Sequence, residues 1–305
     1  FDKDTEDNFW HKEAFTLTVK NKADKQLLGH IVLDLFPREG KFTHACCAGV
    51  IPPVKNDDDE KWSPALAVVL ANFPEGVEGK PALFKHSDVE TFFHEFGHAI
   101  HYLMGRAELP TVAGYNVKMD FVELPSQMLE EWLWEKDILQ MVTSHYETKE
   151  KLPQELIDAK IASKNAFSGR DSLRQLQFAT LALEIFDKDF ASKPAKEMDS
   201  TALILEVQPR IMKGVRYNPN THFQCSFGHL MGYGATYYGY MWSEVYAQDV
   251  FEYIRSQNGL LDPAFGRRYI DHIIGVGGGK DPNVMLREFL GREPNSDAFI
   301  KRLGM

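Results

Sequence analysis

Cysteine is scarce in this chain: Cys46, Cys47 and Cys225 are the only three in 305 residues. Three thiols, two of them adjacent, cannot build a disulfide framework, and neighbouring cysteines suit neither a strain-free bridge nor a CxxC metal site. A reducing compartment is therefore expected, the cytoplasm first. Long apolar runs are also missing. None approaches the ~18 to 20 residues that cross a bilayer, which excludes a membrane-spanning helix. Basic charge is in deficit, with 34 Lys and Arg against 44 Asp and Glu and a net charge of −10, so the clustered cations that read phosphate backbones are absent and nucleic acid is excluded as a partner. No repeat of about 20 to 50 residues and no low-complexity tract is present, which removes solenoid and linker readings. The first residues, Phe1-Asp2-Lys3-Asp4, lack an initiator Met, a basic stretch and an apolar stretch, and read as a processed or truncated end without a signal peptide.

What is present is a globular composition. A hydrophobic content of 44% with 12% aromatic residues is enough to bury a sizeable core over one large or two ordinary domains. The chain reads as one domain over residues 1–305. Strand signals fall early: Ile31-Val32-Leu33-Asp34-Leu35-Phe36 stops at Pro37-Arg38-Glu39-Gly40, and Leu66-Ala67-Val68-Val69-Leu70 stops at Phe73-Pro74-Glu75-Gly76. A small sheet is expected over about 28–75. Between these signals Asn56-Asp57-Asp58-Asp59-Glu60 lacks the Gly and terminal Glu of a calcium loop and reads as a solvated loop.

From Ser87 the hydrophobic period becomes helical. Ser87-Asp88-Val89-Glu90 predicts a capping box opening a helix to about Met104, stopped by Gly105. Further helices are predicted near 121–147, 153–166, 171–190, 199–213, 233–257, 263–274 and 283–290. The active-site helices then occupy about 87–147 and the helical remainder 150–305, a mainly α fold with a minor β element. Gly277-Gly278-Gly279-Lys280 lacks the spacing and preceding strand of a phosphate-binding loop and reads as a flexible surface loop.

The chemistry concentrates in Thr91-Phe92-Phe93-His94-Glu95-Phe96-Gly97-His98-Ala99. At ~100° per residue, His94 and His98 lie ~40° apart on a helix, with Glu95 beside them at ~100°. Two imidazoles facing one point suit a tetrahedral Zn²⁺ that needs a third protein ligand. Histidine pairs one turn apart also occur as surface or hydrogen-bonded core residues. Here Phe92, Phe93, Phe96, Ile100 and Leu103 surround them, and burying His94 and Glu95 in that setting carries a desolvation cost that a dication offsets. His101 continues the stripe but lies a further turn along the same axis, and the His-x-x-Gly-x-x-His extension is broken at His101 and Met104. The candidate third ligand is Glu123. Glu130, seven residues on and on the same face, is a candidate hydrogen-bond partner for a ligand histidine.

Downstream, Phe227-Gly228-His229-Leu230-Met231-Gly232-Tyr233-Gly234-Ala235-Thr236-Tyr237-Tyr238-Gly239-Tyr240 would, if helical, line up His229, Tyr233, Tyr237 and Tyr240 within ~80° as a stripe of hydrogen-bond donors. Tyrosines at this spacing are also ordinary core residues, and the three glycines also fit a loop or a close approach of substrate backbone.

These segments resemble the thimet oligopeptidase family of zinc peptidases: FPREGK at 36–41, HSDVETFFHEFGH at 86–98, DFVELPSQMLEEW at 120–132, FGHLMGYGATYYGY at 227–240 and FLGREP at 289–294. The resemblance implies a zincin-like metallopeptidase catalytic domain, with one zinc ion on His94, His98 and Glu123 and Glu95 as general base. It also implies that His229 and Tyr240 serve the reaction, while Tyr233 and Tyr237 bind substrate; Tyr240 aligns directly and Tyr233 only with a gap. Family members run to roughly twice this length, so the chain corresponds to the catalytic half and a missing N-terminal half is an expected partner. Short unstructured peptides are the expected substrates, aligned in part by backbone pairing to the sheet edge, and the mitochondrial matrix is the alternative compartment.

Overall fold

A computed structural model describes residues 2–4, 9–56 and 61–305. Most of the Asn56–Glu60 segment thus lies outside the described residues. Five strands, β1 (Asp2–Asp4), β2 (Phe15–Lys20), β3 (Leu27–Asp34), β4 (Cys46–Ile51) and β5 (Ala65–Leu70), form one sheet in the order β1-β2-β3-β5-β4. Neighbours are antiparallel except β3 and β5. The sheet therefore begins earlier than the expected residue 28, because β1 is three charged residues and β2 is short and half-polar, so neither gives an apolar run. β4 is an edge strand.

The regular elements named after the sheet are helices and helical turns, joined by loops. The helix α1 (His86–Met104) starts one residue before the predicted Ser87. The Asp88 carboxylate accepts the Lys85 N–H at 2.8 Å, so Asp88 rather than a Ser87–Glu90 pair closes the first turn. The predicted helix over 121–147 is broken: α2 (Leu124–Glu131) tightens into a 3-10 turn at Trp132–Trp134, Glu135 is extended, and a new helix runs Lys136–Val142. Helix α3 (Ser168–Phe186) ends at Asp187, whose extended backbone separates it from Lys188–Ala191. Helix α4 (Gly239–Ser256) follows a 3-10 turn at Gly234–Tyr238, and Pro263–Tyr269 passes into a π-helical turn at Ile270–Ile274. Gly277–Gly279 is a 3-10 turn with Gly277 buried, and Lys280 is paired with Glu288; this is a packed turn, not the expected flexible loop. No helix among the described residues is long and apolar enough to cross a membrane.

Two buried clusters meet on α1. Ala99, Tyr102 and Leu103 pack on Val19, Ile31, Leu33, Ala65, Ala67 and Val69 of the sheet. Phe121, Leu124 and Met128 join Val250, Phe251, Ile254, Met285, Leu286 and Phe289 in a second core, against which Ile100 and Met104 of α1 also pack. The sheet thus fixes one face of α1, and the helical body fixes another.

Two ionic anchors explain motifs that carry no chemistry of their own. Asp34 at the end of β3 is 2% exposed; both its oxygens accept from the Arg38 guanidinium at 2.8 Å, with Trp10 Nε1 at 2.8 Å and Lys41 Nζ at 2.9 Å. The Lys41 ammonium also donates to the carbonyls of Phe36 and Ala71, tying the ends of β3 and β5 together. Likewise Asp249 of α4 accepts from both guanidinium nitrogens of Arg292 in the GREP turn and from the Asn295 N–H. Burial alone would raise the Asp34 pKa, but the hydrogen bonds from Arg38, Lys41 and Trp10 hold it well below the usual carboxylate range. Its contribution to stability is then complete above the unfolded value near pH ~4 and is lost as pH falls from there toward the folded value. We predict that Asp34→Asn lowers unfolding free energy at pH 7 by about 3 kcal/mol or more, since it leaves a buried ammonium without its counter-charge, and that the difference from wild type shrinks between pH ~4 and ~2. Denaturant melts across that range check both.

Candidate metal centre and catalytic site

The centre is assembled by two helices that touch through a glycine. A Cβ on Gly97 would sit 2.7 Å from Ser126 Cα, so only glycine lets α2 approach this closely to the middle of α1. Pro125 occupies the first turn of α2, where a missing N–H is tolerated, and Glu123 stands immediately before it. The contact brings Glu123 under His94 and His98. His94 Nε2 and His98 Nε2 are 3.2 Å apart, and Glu123 Oε2 lies 3.2 Å from the first and 3.0 Å from the second. Among the described residues these three side chains are the group whose ligand atoms converge as a metal requires.

The donor set fits a small dication. Nitrogen and oxygen ligands about 2.0 to 2.1 Å from a tetrahedral ion lie about 3.3 Å from one another, and the three atoms already stand near that spacing. His94 Nδ1 donates to Glu130 Oε1 at 2.6 Å, which turns the lone pair of Nε2 toward the centre. The Ser126 hydroxyl is shared between the Glu123 carbonyl at 2.9 Å and Glu123 Oε2 at 3.2 Å, and the Tyr233 hydroxyl donates to Glu123 Oε1. Burial would raise the Glu123 pKa, yet the facing imidazoles keep it well below the ordinary value. Burial would likewise lower that of His94, which Glu123 and Glu130 instead raise. His101 is outside this group: it is fully buried, neither ring nitrogen has a hydrogen-bond partner, and burial lowers its pKa to about 3.

Glu95 is 7% exposed beside the histidines. Desolvation raises its pKa, against the pull of His94 and His98, and the Cys47 N–H of edge strand β4 donates to its carboxylate. The result is a carboxylate held in place with a higher proton affinity than a solvated one.

The downstream donors converge through short turns, the loop alternative rather than one continuous helix. His229–Gly232 is one helical turn, Gly234–Tyr238 a 3-10 turn, and Tyr240 opens α4. The rings nonetheless cluster: His229 lies 5.8 Å from Tyr233, 5.3 Å from Tyr237 and 5.7 Å from Tyr240, and Tyr233 lies 4.9 Å from Tyr240. Gly239 lets the start of α4 lie against the main chain just before Glu123, since a Cβ there would meet the Met119 carbonyl at 2.7 Å. Gln127 of α2 then donates to the Tyr240 carbonyl at 2.9 Å. The four side chains differ in environment. His229 is exposed. Tyr240 bonds to Tyr233, and Tyr233 to Glu123. Tyr237 is buried among Phe178 and Phe227 and donates to Gln175 Oε1 at 2.9 Å, so its hydroxyl is a core group committed elsewhere.

Sequence reasoning did not find Cys47, Ser126 or Tyr115. Ser126 had a signal, being one turn beyond Glu123. The main-chain donor of Cys47 had none. The Tyr115 hydroxyl accepts the Gly49 N–H at 2.7 Å and donates to the Cys47 carbonyl at 3.3 Å, a contact across more than sixty residues. We predict that Glu130→Ala lowers affinity for zinc about 10- to 100-fold and Glu123→Ala lowers it further, both measured by competition with a chromophoric chelator.

A family model described as Peptidase family M3 matches residues 1–305. The chain is 38% identical over 303 residues to a thimet-like oligopeptidase of Dictyostelium discoideum, covering 97% of this chain and 44% of the relative. It is 36% identical to oligopeptidase A of Escherichia coli, covering 97% and 43%. Among solved structures, PZ peptidase A with an inhibitor superposes with a TM-score of 0.55 at 17% identity over 89% of this chain and 42% of that one, a likeness of fold. The chain spans less than half the length of the curated relatives it matches. It belongs to peptidase family M3.

Proposed function

We propose that this chain is the catalytic part of a zinc-dependent endopeptidase that hydrolyses internal bonds of short unstructured peptides. The observation that carries the reading is the spacing of about 3 Å among His94 Nε2, His98 Nε2 and Glu123 Oε2 with the Glu95 carboxylate beside them. A zinc ion held by these three groups would lower the pKa of water toward ~7 and polarise a peptide carbonyl.

The chain's own groups divide the remaining work. Glu95, desolvated and oriented by the Cys47 N–H, accepts the proton of the attacking water and returns it to the leaving amine. Tyr240, once its hydroxyl turns away from Tyr233, and the exposed His229 donate to the carbonyl oxygen as negative charge develops there. Tyr233 acts through the hydrogen bond that holds Glu123, and Tyr237 supports the ring cluster from the core, so both position the site more than they touch peptide. Glu130 fixes the tautomer of His94.

A second reading, peptide binding without turnover, is favoured by one fact: the chain spans less than half of its relatives. A quenched fluorescent peptide assayed with chelator and with restored zinc separates the two. Under the peptidase reading, Glu95→Gln keeps its metal and loses turnover by at least ~10²-fold; near wild-type turnover would remove Glu95 as the base. Tyr240→Phe lowers kcat about 10²-fold with little change in peptide affinity, and an effect on affinity alone would leave Tyr240 a positioning role.

A further inference from the structure

The edge of the sheet beside the site is partly closed from within. β4 is the terminal strand, its residues Ala48 to Ile51 are exposed, and its inner side pairs with β5. A peptide that adds to an exposed strand does so through the outward N–H and C=O groups, which come from every second residue. On β4 these begin with the N–H and C=O of Cys47 and the N–H of Gly49. All three are taken: Glu95 accepts the Cys47 N–H, and the Tyr115 hydroxyl bridges the Cys47 carbonyl and the Gly49 N–H.

The bridge is built rather than incidental. The Tyr115 ring packs on Tyr102 at 4.8 Å between centroids and stands edge-on to His98 at 6.2 Å. Its main chain is equally fixed, since Ala113 and Gly114 are buried and the Gly114 N–H donates to the Gly105 carbonyl at the end of α1 at 2.6 Å. A side chain anchored at both ends cannot swing aside without giving up ring packing and two hydrogen bonds.

We propose that Tyr115 is a specificity-determining residue: it caps the edge strand past Cys47 and so stops an incoming peptide from extending along β4 beyond the catalytic centre. The inference rests on the peptidase reading. Direction follows from the strand. β4 runs from Cys46, near Glu95, away toward Ile51, so an antiparallel peptide would lay the residues preceding its scissile bond along Gly49 to Ile51. Tyr115 therefore curtails the N-terminal side of the substrate and favours bonds close to a peptide's N-terminus.

The test is a nested peptide series sharing one scissile bond, lengthened one residue at a time on the N-terminal side, with C-terminal lengthening as the control. For the wild-type chain, kcat/KM stops rising once N-terminal residues would reach Gly49; a steady rise through longer peptides would overturn the proposal without any mutant. In Tyr115→Ser the ratio of kcat/KM for long over short N-terminal extensions rises about tenfold, as expected for two recovered backbone hydrogen bonds, while the C-terminal ratio stays as in wild type. Tyr115→Phe, which keeps the ring, gives a smaller rise. An unchanged N-terminal ratio in a folded Tyr115→Ser variant sinks the idea. Fluorescence anisotropy of the same peptides on Glu95→Gln and on Glu95→Gln with Tyr115→Ser reads affinity without turnover. Absence of hydrolysis by every zinc-loaded wild-type sample would thus count against the peptidase reading, and the affinity ratio would still decide on Tyr115.

Discussion

The arrangement depends on a buried carboxylate meeting two imidazoles. Glu123 is 2% exposed, and an anion so placed is tolerated only where opposite charge and hydrogen bonds surround it. His94 and His98 face one oxygen while Ser126 and Tyr233 donate to the group, so almost every lone pair of Glu123 is spoken for. These partners come from three stretches of chain, α1, α2 and the turns before α4, and each stretch is held where it is by packing that leaves little slack. The close contact between α1 and α2 at Gly97 is the mechanical condition for the meeting, and the two cores on either side of α1 supply the rigidity.

Around that point the molecule layers its functions by element. α1 carries the histidines and Glu95, α2 brings Glu123, Ser126, Gln127 and Glu130, and α4 with the turns before it delivers the tyrosines. The edge strand acts with its backbone more than its side chains. Cys47 matters here as a main-chain donor to Glu95, while its thiol is pushed to a raised pKa by burial and by the nearby Glu95. The anchors at Asp34 and Asp249 stand at the periphery and keep the sheet ends and the last helices in register. Their buried ion pairs give FPREGK and GREP a structural role, since Arg38 and Lys41 bind Asp34 and Arg292 binds Asp249.

How much of this could be read from the chain alone follows the range of the interactions. His94, Glu95 and His98 were legible because a continuous helix converts sequence spacing directly into angle. Glu123 and Glu130 were legible because their seven-residue spacing puts them on one face of the next helical segment. The downstream donors were legible as a group but their backbone was open between a helix and a loop: Gly234 takes a positive φ and Gly239 a tight approach to Met119, so the rings meet through a folded path that a helical wheel cannot draw. The break at Trp132 to Glu135 and the packed Gly277–Gly279 turn were missed for the same reason, since tertiary contacts overrode local propensity. Tyr115 was invisible, because its partners lie on a strand paired far away in sequence and nothing about an isolated Tyr announces a main-chain bridge.

The most direct test of the central claim is metal K-edge X-ray absorption on the chain loaded with one equivalent of zinc, alongside crystallographic location of the ion by anomalous scattering. The account predicts one ion with two imidazole nitrogens and one carboxylate oxygen at about 2.0 to 2.1 Å, between His94, His98 and Glu123. An ion bound elsewhere, or a first sphere that includes His101 in place of Glu123, would contradict it.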